Sequence, residues 1–267
     1  FIFLYLISKY NNYTFNYILI IFSSIIKIYP ILLSTIFIFE KNFKKVLINL
    51  ILISVLFLIL MGMQFESLIK IFENQSQFTG YGYGLYEFSF LGAIKFFSSF
   101  NLNFDNSNLN WIKYLYGFLF VLFPLIILNY FFSNKISFIF SNFDFDKNSS
   151  FEKRLYFLSS TIILFCYLFF SNFVYREIFL IGLVPAILSL QKNKDSFLSF
   201  YFCLLLIKFL ITSIFIYLFK NEILNFLNPF MIIIKHTVDL FLISLILHVY
   251  IKLIIFYFRR NIFVTEF

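Results

Sequence analysis

The feature that most constrains this chain is a series of apolar runs, each close to the length needed to cross a lipid bilayer, separated by polar loops. A hydrocarbon core about 30 Å thick takes roughly 20 apolar residues of α-helix. The runs that qualify are 15–39, 46–63, 111–132, 155–172, 174–190, 196–219 and 230–257. They lack the period-two alternation of membrane-barrel strands, so they read as helices. Composition agrees, with 61% of the 267 residues hydrophobic and 13% charged, too few charges to cover a water-soluble domain of this length. The expected fold class is all-α: a polytopic integral membrane protein of about seven spans, one membrane domain over 1–267. Phe1 to Ser8 reads as the tail of an apolar helix without an initiator Met or a charged leader, so an N-terminal part is expected upstream.

The net charge of +8 is distributed as the positive-inside rule requires. Lys41, Lys44 and Lys45 share one loop; Lys135, Lys147, Lys153 and Arg154 share the next but one; Lys192 and Lys194 follow two loops later, and Arg259 and Arg260 end the chain. These loops fall on one side, which the rule makes cytoplasmic, against Lys70, Lys95, Arg176 and Lys220 on the other. The expected location is the plasma (inner) membrane with a cytoplasmic C-terminus. No basic patch or binding motif accompanies the charge, so nucleic acid is excluded as a partner. Cys166 and Cys203 sit within apolar runs and read as buried thiols. The 46 Phe against two Ala fit a biased base composition and carry no functional weight.

One loop departs from the pattern. Residues 64–110 form a long extracytoplasmic segment carrying Glu66, Glu73, Glu87, Asp105 and a Tyr and Gly stretch from Gly80 to Gly84. Long connections are commonly functional or disordered. Within it, Phe88 to Phe100 has the spacing of a short interfacial helix. Tyr81 and Tyr83 between glycines can stack on a sugar, pairing an apolar ring with a hydroxyl, or form a flexible interfacial turn. No Lys-Ser or Lys-Thr follows Gly84, which excludes a phosphate loop.

Two places put charge inside the membrane. Lys27 lies near the middle of the 15–39 run, where an ammonium requires an anion or water. Pro30 removes the N–H that the Ile26 carbonyl would use, so the helix is expected to break beside Lys27. A cation at such a break suits a phosphate, or it pairs with an acid on another helix. In the last run Lys235 and Asp239 stand four apart on one helical face and are expected to form a structural intramembrane pair. His248 is out of phase with them, so no metal site is expected, and no cofactor is implied. Arg176 and Glu177 fall at the outer end of the 174–190 run and, as neighbours, point in different directions.

The segment Lys27-Ile28-Tyr29-Pro30, a short apolar run and then the loop Glu40-Lys41-Asn42-Phe43-Lys44-Lys45 resembles the corresponding part of glycosyltransferase family 87 and related GT-C membrane glycosyltransferases. Glu87-Phe88-Ser89-Phe90-Leu91-Gly92 is similar to an outer-loop segment of that family in which Asn stands where Glu87 does here. Tyr175-Arg176-Glu177-Ile178-Phe179-Leu180, followed by Pro185, resembles a late family span. The resemblance implies a GT-C-like fold and transfer of a sugar from a polyprenyl-phosphate donor to an extracytoplasmic acceptor. It further implies lipid-phosphate contacts at Lys27 and Arg176, and sugar or acceptor contacts at Tyr81, Tyr83 and Glu87. In GT-C enzymes a carboxylate acts as base on the acceptor hydroxyl. It normally sits in a first outer loop, which here would precede Phe1, so no catalytic residue is assigned.

The alternative class is a multi-span transporter or lipid flippase, its path lined by Lys27, Lys208, Lys235 and Asp239. That reading accounts less well for the outer loop. A third reading, a subunit of an organellar membrane complex, rests on base composition alone. An outer acidic loop upstream of Phe1 favours the enzyme, and solute movement without a sugar acceptor favours the transporter.

Overall fold

The computed structural model describes residues 1–10, 12–26, 29–40, 43–63, 150–169, 174–190, 196–221 and 228–262, with single helical positions at 93, 119, 123, 126, 127 and 130. Every element among them is helical. In chain order they are α1 (Ile2–Lys9), α2 (Tyr13–Ile26), a first 3₁₀ segment (Tyr29–Phe39), α3 (Phe43–Met63), α4 (Phe151–Phe169), a second 3₁₀ segment (Val174–Leu183), α5 (Val184–Leu190), α6 (Ser196–Asn221) and α7 (Asn228–Ile262). Three helices hold a stretch long and apolar enough to cross a membrane: Phe43–Leu60 in α3, Phe197–Ile214 in α6 and Met231–Ile255 in α7. They coincide with the runs 46–63, 196–219 and 230–257. Apart from the single positions, the run 111–132 and the outer loop 64–110, with its expected interfacial helix, lie outside the described residues.

Polarity is inverted relative to a soluble protein. On α2, Phe15, Ile18 and Phe22 face outward while Asn16, Ile20, Ser23 and Ser24 are buried; Ile18 is 61% exposed and Asn16 1%. On α6, Leu206, Ile207 and Leu210 are exposed and Lys208 is fully buried. α3 turns Leu47, Ile48, Ile51, Leu52, Val55, Leu58 and Ile59 outward. Only a surrounding apolar medium makes this arrangement favourable. Several hydroxyls within the helices bond to the carbonyl one turn back, as Ser24 Oγ does to Ile20 O at 2.7 Å and Ser244 Oγ to Leu240 O at 2.6 Å. Such bonds satisfy a polar group without water.

The 15–39 run, expected to be a single broken span, is folded differently. The Tyr13 and Phe37 rings lie 5.6 Å apart and those of Tyr17 and Phe37 4.8 Å apart. In one continuous helix, positions 13 and 37 would be about 36 Å apart. α2 and the first 3₁₀ segment therefore run antiparallel as a hairpin, with Leu33, Ile36 and Phe39, three residues apart, on the buried face of the 3₁₀ arm. α3 joins the hairpin through Tyr17, whose hydroxyl donates to Asn49 Oδ1 at 2.6 Å.

α4 is the centre of the packing. It contacts α1, both 3₁₀ segments, α5 and α7. At its start Arg154 Nε donates to Ser8 O at 2.8 Å and Nη2 to Lys9 O at 3.4 Å, so a guanidinium caps the negative end of the α1 backbone. Phe157 meets Phe39 edge-on at 5.7 Å and stacks on Tyr250 of α7 at 5.1 Å.

The second 3₁₀ segment follows the three-residue period of its geometry. Ile178 and Ile181 face outward, whereas Glu177, Leu180 and Leu183 are buried. A 3₁₀ helix rises about 2.0 Å per residue against 1.5 Å in an α-helix. The 174–190 run thus reaches about 30 Å although it is short for an α-helical span. Pro185 sits in the first turn of α5, where a missing N–H is tolerated. Gly182 lets this segment lie on α4: a Cβ there would stand 1.9 Å from Ser159 Oγ and 3.0 Å from Ser159 Cβ. Small residues permit this approach in membrane bundles.

The two described glycines that can be compared give a paired test. A Cβ on Gly62 would meet nothing within 4 Å. Gly182→Leu is expected to lower stability by about 3 kcal/mol through overpacking, read as thermal unfolding of the full-length protein in detergent, and Gly62→Leu is expected to leave it unchanged.

Candidate functional site

The charges that lie deep in the described bundle form one chain. Glu177 comes from the second 3₁₀ segment, Lys208 and Thr212 from α6, and Lys235 and Asp239 from α7. Lys208 and Thr212 are one helical turn apart, as are Lys235 and Asp239, so each helix presents a pair on a single face. Lys208 Nζ lies 2.8 Å from Glu177 Oε1 and 2.5 Å from Asp239 Oδ1, and Lys235 Nζ lies 2.9 Å from Asp239 Oδ2. Thr212 Oγ1 donates to Glu177 Oε2 at 2.7 Å. No side chain of the four charged residues is more than 4% exposed.

The order is acid, base, acid, base, so the chain is neutral when all four groups are ionised. Each interior ion has an opposite neighbour, which a low-dielectric surrounding demands. Both oxygens of Glu177 and both oxygens of Asp239 are engaged. His236, fully buried, adjoins Asp239, and the Tyr167 phenol of α4 lies within reach of the same carboxylate. This arrangement joins the second 3₁₀ segment, α6 and α7.

Of the residues singled out in the sequence, Lys235 and Asp239 are brought together directly. Lys27, Tyr81, Tyr83 and Glu87 lie outside the described residues. Arg176 belongs by its backbone to the second 3₁₀ segment, while its side chain is outside the description. Glu177 was placed by sequence at the outer end of a span; in the structure it is 3% exposed and bonded to α6. The signal available for it was the Lys208 and Thr212 pair, whose turn-apart spacing marks a polar stripe on an otherwise apolar helix. Among the described residues no group of His, Cys, Asp and Glu is arranged to hold a metal ion. Cys166 is buried, as read from the sequence, whereas Cys203 lies on the exposed face of α6; neither forms a disulfide.

An apolar exterior, an ionic interior and three helices of spanning length define a helical membrane protein. No family model matches the chain, and neither a curated protein nor a solved structure matches it.

The network makes a specific energetic demand. Lys208→Met leaves two carboxylates facing each other without their shared cation and is expected to destabilise the protein by about 3–5 kcal/mol. The double replacement Lys235→Met with Asp239→Leu removes one cation and one anion and leaves Glu177 paired with Lys208. A double-mutant cycle on thermal unfolding should find the double variant far less damaged than the sum of its two singles.

Proposed function

We propose that this chain belongs to a membrane glycosyltransferase of GT-C type, which moves a sugar from a polyprenyl-phosphate donor to an acceptor on the extracytoplasmic side of the plasma (inner) membrane. In this reading the seven apolar runs are the membrane elements of the enzyme and the C-terminus is cytoplasmic. A carboxylate base takes the proton of the acceptor hydroxyl, its oxygen attacks the anomeric carbon, and the lipid phosphate departs with the electrons of the broken bond. The negative charge that builds on that phosphate calls for cations held in position beforehand. Lys27 and Arg176 are the residues assigned to this role, with Tyr81, Tyr83 and Glu87 toward the sugar or acceptor.

The observation that supports the reading is the anchoring of the segment next to Arg176. Glu177 is bonded through both carboxylate oxygens to Lys208 and Thr212, so the backbone one residue away is tied to α6 and cannot drift. A guanidinium on a fixed backbone is a suitable partner for a phosphate. The saturation of the network argues in the same direction. A transport path needs a charge that can exchange partners, whereas Glu177, Lys208, Asp239 and Lys235 satisfy one another.

The transporter or flippase reading draws on the same intramembrane charges, and one assay separates the two. Full-length protein in proteoliposomes is supplied with a radiolabelled polyprenyl-phosphate hexose and a cell-envelope acceptor fraction. Sugar transfer is expected, and Arg176→Ala or Lys27→Ala should each reduce it about 100-fold while membrane insertion is retained. Transfer unchanged by both substitutions overturns the phosphate role, and solute movement in the absence of any acceptor supports the transporter.

A further inference from the structure

We infer that residues 13–40 form a re-entrant hairpin that enters and leaves the bilayer on the side of the basic loops, and do not cross it. Three observations converge on this topology. First, the arms are antiparallel and matched in length. α2 has 14 residues and the 3₁₀ arm 11, which at about 1.5 and 2.0 Å per residue gives about 21 Å and about 22 Å. Each arm stops short of a hydrocarbon core about 30 Å thick. Its far ends, Ile26 and Tyr29, therefore stay within the membrane.

Second, the near ends of both arms gather at the same end of the bundle. Tyr13, at the start of α2, packs on Phe37 near the end of the 3₁₀ arm, and the Glu40 carboxylate that follows the arm acts electrostatically on the Tyr13 phenol. Phe39 packs on Phe157, which stacks on Tyr250, and the Glu40 carboxylate reaches Tyr257 electrostatically. These partners lie at the first turns of α4 and toward the last turns of α7, beside Arg154 and ahead of Arg259 and Arg260.

Third, the chain that leads into the hairpin is held at that end. Arg154 grips the Ser8 and Lys9 carbonyls, and Tyr5 meets Phe151 edge-on at 5.2 Å. Lys9 and Tyr10 therefore lie on the same side as Lys153 and Arg154. A spanning 15–39 segment would instead put Lys9 across the membrane from Lys41, Lys44 and Lys45. The hairpin moves Lys9 into the basic set, which sharpens the charge asymmetry.

α3 begins on the basic side at Phe43 and, with 21 residues, is about 31 Å long and crosses fully. Beyond the hairpin's far ends, about 9 Å of bilayer thickness is left without chain from this segment. The topology does not depend on the glycosyltransferase reading.

Substituted-cysteine labelling of the full-length protein tests it. In a background with Cys166→Ala and Cys203→Ala, Lys9→Cys and Tyr10→Cys are compared with Lys45→Cys, using a membrane-impermeant maleimide on intact cells and on inverted vesicles. Labelling in detergent shows that each variant is present and reactive. Lys9→Cys and Tyr10→Cys are expected to label in the same preparation as Lys45→Cys. Labelling in the opposite preparation overturns the hairpin. A protease site inserted after Tyr10 gives an independent readout where labelling is slow: cleavage from the side that labels Lys45→Cys upholds the topology, and cleavage from the other side overturns it.

Discussion

An ion placed in lipid must find its counter-ion within the protein, and the chain from Glu177 through Lys208 and Asp239 to Lys235 meets that requirement for three membrane elements at once. Every other feature of the second half of the molecule is compatible with it. The second 3₁₀ segment must present Glu177 toward α6, which it does by keeping Leu180 and Leu183 on the same buried face. α6 must turn Lys208 and Thr212 inward while Leu206, Ile207, Leu210 and Ile214 meet lipid. α7 supplies Asp239, which bonds two lysines through separate oxygens. Breaking one member strands its neighbours, so the loss of a single charge is felt in all three elements.

The remainder of the bundle is held by contacts suited to an apolar surrounding. Several hydroxyl groups close on their own helices, Gly182 admits close approach to Ser159, and aromatic rings bridge α4 to the hairpin and to α7. Arg154 binds α1 through backbone carbonyls, so the sequence of α1 is free to vary while the contact persists. The two 3₁₀ segments have different uses. The second lengthens a short run until it reaches bilayer thickness, and the first gives the hairpin a returning arm equal in length to its outgoing one.

The membrane character was legible because it depends on length and composition, which do not require knowledge of contacts. The Lys235 and Asp239 pair was legible for a similar reason, since both residues lie on one helix and a four-residue spacing sets their geometry. Glu177 with Lys208 was not, because the partners are 31 positions apart and only tertiary packing brings them together. The hairpin was hidden by its own uniformity. An apolar run announces how much chain is in lipid but not whether it crosses or turns back, and the evidence for the turn is a ring contact between Tyr13 and Phe37. The rise per residue of the 3₁₀ segments is likewise invisible in composition. For Lys27, Tyr81, Tyr83 and Glu87, the sequence remains the basis of their assignment.

The ionic core thus unites the second 3₁₀ segment, α6 and α7 into one cooperative unit. Hydrogen exchange measured by mass spectrometry on the full-length protein in lipid nanodiscs, comparing the native sequence with Asp239→Asn, addresses this most directly. Exchange is expected to rise together in Val174–Leu183, Ser196–Asn221 and Asn228–Ile262. A rise confined to the turns of α7 around Asp239, with the other two elements as protected as before, would contradict it.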